Sequence, residues 1–532
     1  MTLHGHSIIA GKVTRSESGV TFLPVNPSTG ADLAPPVHEA SLELADQALA
    51  AADEAFDALR SKSPAERAAF LDAIADGIEA LGDALLERAQ AETGLPLARL
   101  AGERSRTTGQ ARLFARLIRE GSWQEARIDR AIPDRQPLAK PDVRRFMQPV
   151  GPVVVFGASN FPLAISVAGT DTVSALAAGC PVVVKAHPGH PGTCEMIARV
   201  ISEAADRAGM PSGTFSMVHG RGVEIGMALV KHPLTTAVAF TGSLRGGRAL
   251  FDAASARPSP IPFYGELGSV NPVFLLPGAL QQRGPQIAES FVGSLTMGVG
   301  QFCTNPGVVF GVKGDGFQDF TEKTASLVRA WPPSTMLHFG ISQAFKDGLK
   351  RISSVKGIDL LGMSEGTARG NSAQASAMVF STDLETYRAN EDLHEEVFGP
   401  ASIVTQCQSR EELEQVAESL QGQLTASIHG TAEDLREHAR LIRILERKVG
   451  RIIFNGFGTG IEVCPAMHHG GPYPSSTHSF FTSIGTAAIY RFVRPVCYQG
   501  FPDECLPAPL QNANPAGMWR MVDGAMTQES LN

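Results

Sequence analysis

Apolar positions change their spacing several times along the chain, and the changes divide it. From about Glu39 to Gly121 they recur at helical intervals on Ala- and Leu-rich faces, as in LELADQALAAADEAFDAL and, after Ser63-Pro64, in AERAAFLDAIADGIEALGDALLERAQAETG. A Ser-Pro pair ahead of such a run is a helix start: the hydroxyl caps, and proline fits the first turn. Residues 128–148 lose this period. They are rich in Pro and Arg and alternate in character from Val143 to Met147, which predicts a linker or a projecting edge strand. The stretch before Glu39 reads as a polar, partly extended leader.

From Pro152 short continuous apolar runs take over, at Val153–Phe156, Pro181–Val184, Phe215–Val218, Ala237–Phe240 and Pro262–Tyr264, with helical segments near 166–178, 191–208 and 222–231 between them. Strands covered on both faces read this way in a parallel sheet with crossover helices. A second series begins near Asn271, with strands expected at Pro272–Leu276, Gly307–Val312, Ala377–Phe380, Ser402–Thr405, Thr425–Ile428 and Arg451–Asn455. Its helices are expected near 284–298, 316–330, 410–420 and 432–446. The boundary falls at Glu266-Leu267-Gly268. After Arg494 the chain is Pro-rich and aromatic and reads as an irregular surface wrap. The fold class is α/β, doubly wound, and ligands of such folds sit at the carboxyl ends of the strands.

Length and composition narrow the picture. The chain's 532 residues exceed one typical core. A formal net charge of −8, spread along the chain with no basic tract, argues against a nucleic-acid or anionic-membrane partner. Seven cysteines without a CxxC pair suit free thiols in a reducing cytosol. The first residues lack a signal-peptide pattern, and the most apolar window, Val153 to Gly169, is broken by Gly157, Asn160 and Pro162. A soluble cytoplasmic protein is expected. The His and Cys residues show no ligand spacing, so no metal is implied.

Candidate chemistry lies at the turns. In GVGQFCTNPGVVF, Gly298 to Phe310, a helix end turns through Gly298 and Gly300, presents Cys303 and enters a strand. A lone cysteine is ordinarily a small buried apolar residue, but on such a turn a thiolate can be stabilised and approached. Asn160 follows the first strand, where its amide either donates to an oxyanion or satisfies its own turn. Glu266, at a strand end between Gly265 and Leu267, is either a cap or a carboxylate whose pKa apolar surroundings raise, fit for a general base. Phe240-Thr241-Gly242-Ser243, with Gly247 following, puts a Gly-Ser turn before a helix, a weak signal for phosphate.

Together, and in this order, these stretches and HEEVFGP at 394–400 resemble the aldehyde dehydrogenase superfamily over roughly residues 20 to 500. The resemblance implies a Rossmann-like cofactor domain at 1–127 and 151–266, an α/β catalytic domain at 267–470, a small β oligomerisation arm at 128–150 and 471–495, and a C-terminal tail at 496–532. It implies that Cys303 is the nucleophile that forms a thiohemiacetal and then a thioester. Asn160 and the Cys303 N–H hold the oxyanion, and Glu266 activates the hydrolytic water. It also implies cofactor contacts: Lys185 with the adenosine ribose, Ser243 with the pyrophosphate, Glu396 with the nicotinamide ribose, Phe398 packing nearby, and close approach at Gly242, Gly247 and Leu267. A homodimer or homotetramer is implied, with a small-molecule aldehyde as the only other partner.

Three departures from the family pattern matter. Pro188, three residues after Lys185, replaces a common Glu that disfavours a 2′-phosphate. With Lys185, His187 and Arg221 available, NADP is expected at least as readily as NAD. Gly169 stands where many members carry a relay Lys. His468-His469-Gly470-Gly471-Pro472-Tyr473-Pro474 replaces another common stretch, and either histidine is a candidate to approach the thiol and lower its pKa, or both are loop surface. These features are similar to a narrower branch, the 2-oxoglutarate-semialdehyde dehydrogenases, and to an NADP-linked fatty-aldehyde dehydrogenase. No Arg can be assigned to a distal carboxylate pocket from sequence. An acylating enzyme and a catalytically silent structural member remain as rivals, and Glu266 and the intact Cys303 speak against them.

Overall fold

The computed structural model describes residues 2–366 and 371–531. Two seven-stranded sheets carry the chain. In the first, Phe263–Glu266, Ala237–Thr241, Val153–Phe156, Val182–Lys185 and Phe215–Val218 run parallel, and the Ser7–Ile9 and Lys12–Thr14 hairpin closes one edge antiparallel. The runs are continuous because helices cover both faces: VVVF of Val153–Phe156 and FSMV of Phe215–Val218 are buried at every residue. The chain's first helix, Leu42–Arg60, covers one face against Val154 and Val183, and Pro64–Ala80, Gly82–Thr93 and Leu97–Glu120 cover the other against Val153, Val155 and Val182. Ser63 starts the chain's second helix with a capping box to Glu66, Pro64 in the first turn.

In the second sheet Met378–Asp383, Ala401–Cys407, Val308–Val312, Val273–Leu275, Gln423–His429 and Val449–Phe454 are parallel, with Asp359–Met363 antiparallel at one edge. The expected helix at 166–178 begins only at Thr170, after turns through 162–169, and the one at 432–446 is interrupted at His438.

The arm differs from expectation at its C-terminal side. A third sheet runs Val493–Gln499, Val143–Pro149, Arg127–Asp129, Arg520–Val522, Ala525–Thr527. The residues after Arg494 are therefore strand and core rather than a surface wrap: Leu506, Leu510, Met518 and Val522 bury against Ala126, Ile128 and Phe146. Arg144, 7% exposed, is held by Asp142 at 2.8 Å, Asp503 at 3.1 Å and the Leu510 carbonyl at 2.6 Å, the pairing a buried cation requires. Residues 471–484 do not join this sheet. Gly470, Gly471, Pro472 and Pro474 break any ladder there, and the segment folds back on the end of Phe263–Glu266. Leu267 N–H donates to the Ser475 carbonyl at 2.8 Å, and Gly265 N–H to Thr477 Oγ1 at 2.9 Å. Among the described residues no helix is long and apolar enough to cross a membrane.

Candidate active site

The site forms where the two sheets present their ends to each other. The helix Pro277–Thr296 stops, and Gly298, Val299 and Gly300 follow with φ of 55°, 60° and 65°. Left-handed backbone at three successive residues, one of them β-branched, is costly and persists only when the surroundings hold it. Gly300 could not be anything larger, since a Cβ there would lie 2.3 Å from the Gly399 carbonyl carbon. Asn271 pins the next turn, donating from Nδ2 to the Cys303 carbonyl at 2.9 Å and the Asn305 carbonyl at 3.0 Å. The loop thus presents the Cys303 thiol to the first sheet.

There it meets His469 and Glu266. Cys303 Sγ is 3.4 Å from His469 Nε2, and the same nitrogen is 2.9 Å from Glu266 Oε1. Ser483 donates to Glu266 Oε2 at 2.5 Å, and His469 N–H donates to Thr482 Oγ1 at 2.8 Å. Of the two tandem histidines only His469 approaches the thiol. His468 is half-buried with its ring against Gly450 and Gly470. Burial and the charge of His469 lower its pKa.

The electrostatics correct the expectation of a raised Glu266 pKa. Burial pushes that carboxyl up, but the charge of His469 and the hydrogen bonds from His469 and Ser483 outweigh it and hold it at about 2. The expected lowering of the thiol by a histidine is also reversed. Burial, and then the Glu266 carboxylate, push Cys303 well above its ordinary value, so the resting sulfur carries its proton. A nitrogen 2.9 Å from a carboxylate must bear hydrogen, so Nε2–H of His469 is committed to Glu266. Its buried Nδ1 has no partner among the described residues.

Asn160, 7% exposed, stands on the other side of the loop. Its Nδ2 donates to the Gln301 carbonyl at 3.2 Å and its carbonyl accepts from Arg99 at 2.8 Å. The departure at Gly169 has a steric reason: a Cβ there would sit 2.7 Å from Ile165 Cα. Instead a buried Asp171–Arg491 ion pair of 2.7 Å lies near Glu266. Cys303, Glu266 and His469 also place three metal-ligand atoms within 4.8 Å of one another, a grouping that spacing along the chain did not reveal.

The expected cofactor residues fall into two groups. Glu396 and Phe398 line, with Ser269, Phe302 and Asn305, a narrow cleft beside the cysteine loop. Burial pushes the Glu396 carboxyl up to about 8, and its Oε2 leaves no room for a side chain at Gly268. Ser243 caps the helix Leu244–Ser255, accepting from Gly246 N–H at 3.3 Å. Gly242 and Gly247 are glycine because the Phe240 ring and Leu267 occupy the space of a Cβ. At the end of Val182–Lys185, burial lowers the Lys185 ammonium to about 8, and Lys185 makes no hydrogen bond or ion pair among the described residues. His187 accepts from Gly189 N–H at 3.0 Å and stacks on His190, and burial keeps it neutral. Arg221 is committed elsewhere, paired with Glu39 at 2.8 Å over the Phe22 ring, although Glu39 is also a neighbour of Lys185.

Ser483, Gln301, Arg99, Arg106 and the Asp171–Arg491 pair were not singled out in the sequence, and no spacing marks them. Their roles arise from contacts such as that between Ser483 and Glu266, 217 residues apart.

Comparison with known proteins agrees with this geometry. Residues 13–492 match the model of the aldehyde dehydrogenase family. The chain is 49% identical to alpha-ketoglutaric semialdehyde dehydrogenase 2 of Azospirillum brasilense, over 98% of this chain and 99% of that one. It is 47% identical to alpha-ketoglutaric semialdehyde dehydrogenase of Acinetobacter baylyi, over 92% and 93%. Among solved structures, betaine aldehyde dehydrogenase of Staphylococcus aureus with NAD+ superposes with a TM-score of 0.80 at 20% identity, over 94% of this chain and 98% of that one. A 3,6-anhydro-L-galactose dehydrogenase with NADP gives 0.80 at 23%, over 93% and 99%.

Proposed function

The chain belongs to the aldehyde dehydrogenase family, and from that premise we propose that it oxidises 2-oxoglutarate semialdehyde to 2-oxoglutarate with NADP or NAD. The observation that carries the reading is the contact of Cys303 Sγ, His469 Nε2 and Glu266 Oε1 at 3.4 and 2.9 Å. The two relatives at 49% and 47% identity support the substrate.

Cys303 attacks the aldehyde carbon. Because His469 Nε2–H is already donated, the thiol proton passes to the Glu266 carboxylate, which lies within reach of the sulfur. The Asn160 amide and the Cys303 N–H stabilise the resulting oxyanion. A nicotinamide coenzyme, which Lys185, Ser243 and Glu396 would hold, would supply the acceptor for the hydride that leaves the Cys303 adduct, so that a thioester would remain on Cys303. Glu266, a carboxylate again once the thiol proton has left it for solvent, then takes a proton from water, whose oxygen attacks the thioester; the acid is released and the sulfur regains a proton from Glu266. His469 and Ser483 keep Glu266 ionised between these steps.

The residues suit a dinucleotide. Lys185 has an uncommitted buried ammonium, Ser243 begins a helix of 12 residues whose N-terminus faces the same sheet end, and Glu396 borders the cleft beside Cys303. Pro188 in place of a carboxylate supports NADP as well as NAD. The arm sheet offers two outer strands, Val493–Gln499 and Ala525–Thr527, for pairing with a second copy in a homodimer or homotetramer.

Initial rates with each coenzyme on 2-oxoglutarate semialdehyde, succinate semialdehyde and a long-chain alkanal test the reading. The highest kcat/KM is expected on the first. A preference for the alkanal would overturn the substrate assignment.

A further inference from the structure

The helix Leu97–Glu120 carries Arg99, Glu103 and Arg106 on one face, at positions i, i+4 and i+7. That face packs on the loops that bear the reacting groups. The Arg106 guanidinium lies 5.1 Å from the centre of the Phe161 ring, and that of Arg99 lies 5.2 Å from Phe161 and 4.7 Å from Phe302. The two rings meet edge to face at 5.5 Å. Phe161 follows Asn160 and Phe302 precedes Cys303, so both cations sit one ring away from the amide and the thiol.

The two arginines are not alike. Arg99 donates to the Asn160 carbonyl and holds that loop. Arg106 makes no hydrogen bond or ion pair among the described residues, although its Nε and Nη2 are out of contact with solvent. The charges on this face do not cancel. Glu103 is buried and spends Oε1 on the N–H groups of Leu163 and Ala164, at 2.8 and 3.0 Å, leaving one carboxylate for two guanidiniums. A buried cationic donor without an acceptor is a costly arrangement that a native structure keeps for a reason.

We propose that Arg106 is the anchor for the carboxylate end of the substrate, a short aldehyde bearing an acid group. This rests on the reading of Cys303 as the nucleophile. Burial lowers the Arg106 pKa, while the charges of Glu103, Cys303 and Glu266 oppose that, and the Phe161 ring beneath it touches Phe302 next to the thiol. In a five-carbon oxo-acid aldehyde the carboxyl carbon is four bonds from the aldehyde carbon, about 5 Å when extended. A bidentate guanidinium matches that carboxylate. A long alkanal would press methylenes on the unpaired cation, so the same residue selects against the fatty-aldehyde alternative.

The test uses the intact enzyme and its Arg106→Met and Arg106→Lys variants, with 2-oxoglutarate semialdehyde and with pentanal, which has the same carbon count and no acid. Arg106→Met should lower kcat/KM for the oxo-acid aldehyde by roughly 30-fold, through KM. Pentanal should be unaffected or improved, and Arg106→Lys should recover part of the loss. Competitive inhibition by glutarate should weaken in parallel. Equal losses on both aldehydes would make Arg106 a structural support for Glu103 and overturn the proposal, as would an unchanged kcat/KM for the oxo-acid aldehyde in Arg106→Met. Unfolding temperatures separate misfolding from either result, with Arg106→Lys as the folded control. If the wild type prefers pentanal, the substrate reading fails, and the glutarate comparison still decides Arg106: inhibition equal in wild type and Arg106→Met would overturn it. If the wild type prefers the oxo acid and Arg106→Met keeps that preference, the anchor alone fails.

Discussion

His469 Nε2 and Glu266 Oε1 lie 2.9 Å apart although 203 residues separate them in the chain. The contact fixes the charge state of the site. Glu266 is held at about 2 against an ordinary 4.5, despite burial that works in the other direction. Its ionisation therefore favours the folded state above about pH 4.5, and that contribution disappears as pH falls toward 2. In His469→Leu the Nε2–H is gone and Ser483 is left to oppose burial, so Glu266 becomes protonated at a higher pH. The acid limb of the kcat/KM profile should move from below pH 4 into the range above 5, and His469→Gln, which retains a donor, should fall between. An unmoved acid limb in His469→Leu would show that another group sets the Glu266 charge.

Glu266 is assigned two proton transfers, one from the thiol and one from water. Glu266→Gln should therefore slow the pre-steady-state burst of reduced cofactor as well as the later turnover, each by roughly 100-fold. Because Cys303 is pushed well above its ordinary value by burial and then by Glu266, removing that negative charge lowers the thiol's pKa, and the burst should recover as the pH is raised. Stopped-flow absorbance at 340 nm reads both phases. A full-rate burst at neutral pH, with only deacylation slowed, would remove Glu266 from the first transfer.

How much of this was legible depends on the range of the interaction. The doubly wound sheets were, because VVVF and FSMV report burial on both faces in their own letters. The glycines around Cys303 were legible as a turn. The charge state of Glu266 was not: apolar neighbours in sequence predicted a raised pKa, whereas the partners that lower it come from positions 469 and 483. Arg106 is an ordinary helix cation until the fold lays it over Phe161. The tail after Arg494 was misread for a similar reason, since its apolar residues are spaced by prolines and show no period until Leu506, Leu510, Met518 and Val522 converge.

That tail should behave as part of the arm. Deleting residues 506–532 removes four large apolar side chains from the small core around Phe146 and uncovers Arg144. The loss is on the order of 5 kcal/mol by burial of comparable side chains. Sedimentation should show a smaller assembly or aggregation, and the unfolding temperature should fall. A truncated enzyme of unchanged mass and melting temperature would return the tail to the role of a surface wrap.

Coenzyme choice can be tested at one position. Pro188 lies in the turn three residues beyond Lys185, between His187 and Gly189. Lys185 brings the free cation there, because His187 is neutral and Arg221 is paired with Glu39. Pro188→Glu puts a carboxylate beside that ammonium, where it can accept from ribose hydroxyls and repel a 2′-phosphate. The ratio of kcat/KM for NADP to that for NAD should fall roughly 10-fold or more, with the NAD value maintained. Lys185→Met should lower NADP use more than NAD use, since the phosphate loses its one uncommitted cation. If Pro188→Glu leaves the ratio unchanged, the adenosine end of the coenzyme does not approach this turn, and Lys185 must then be reassigned with it.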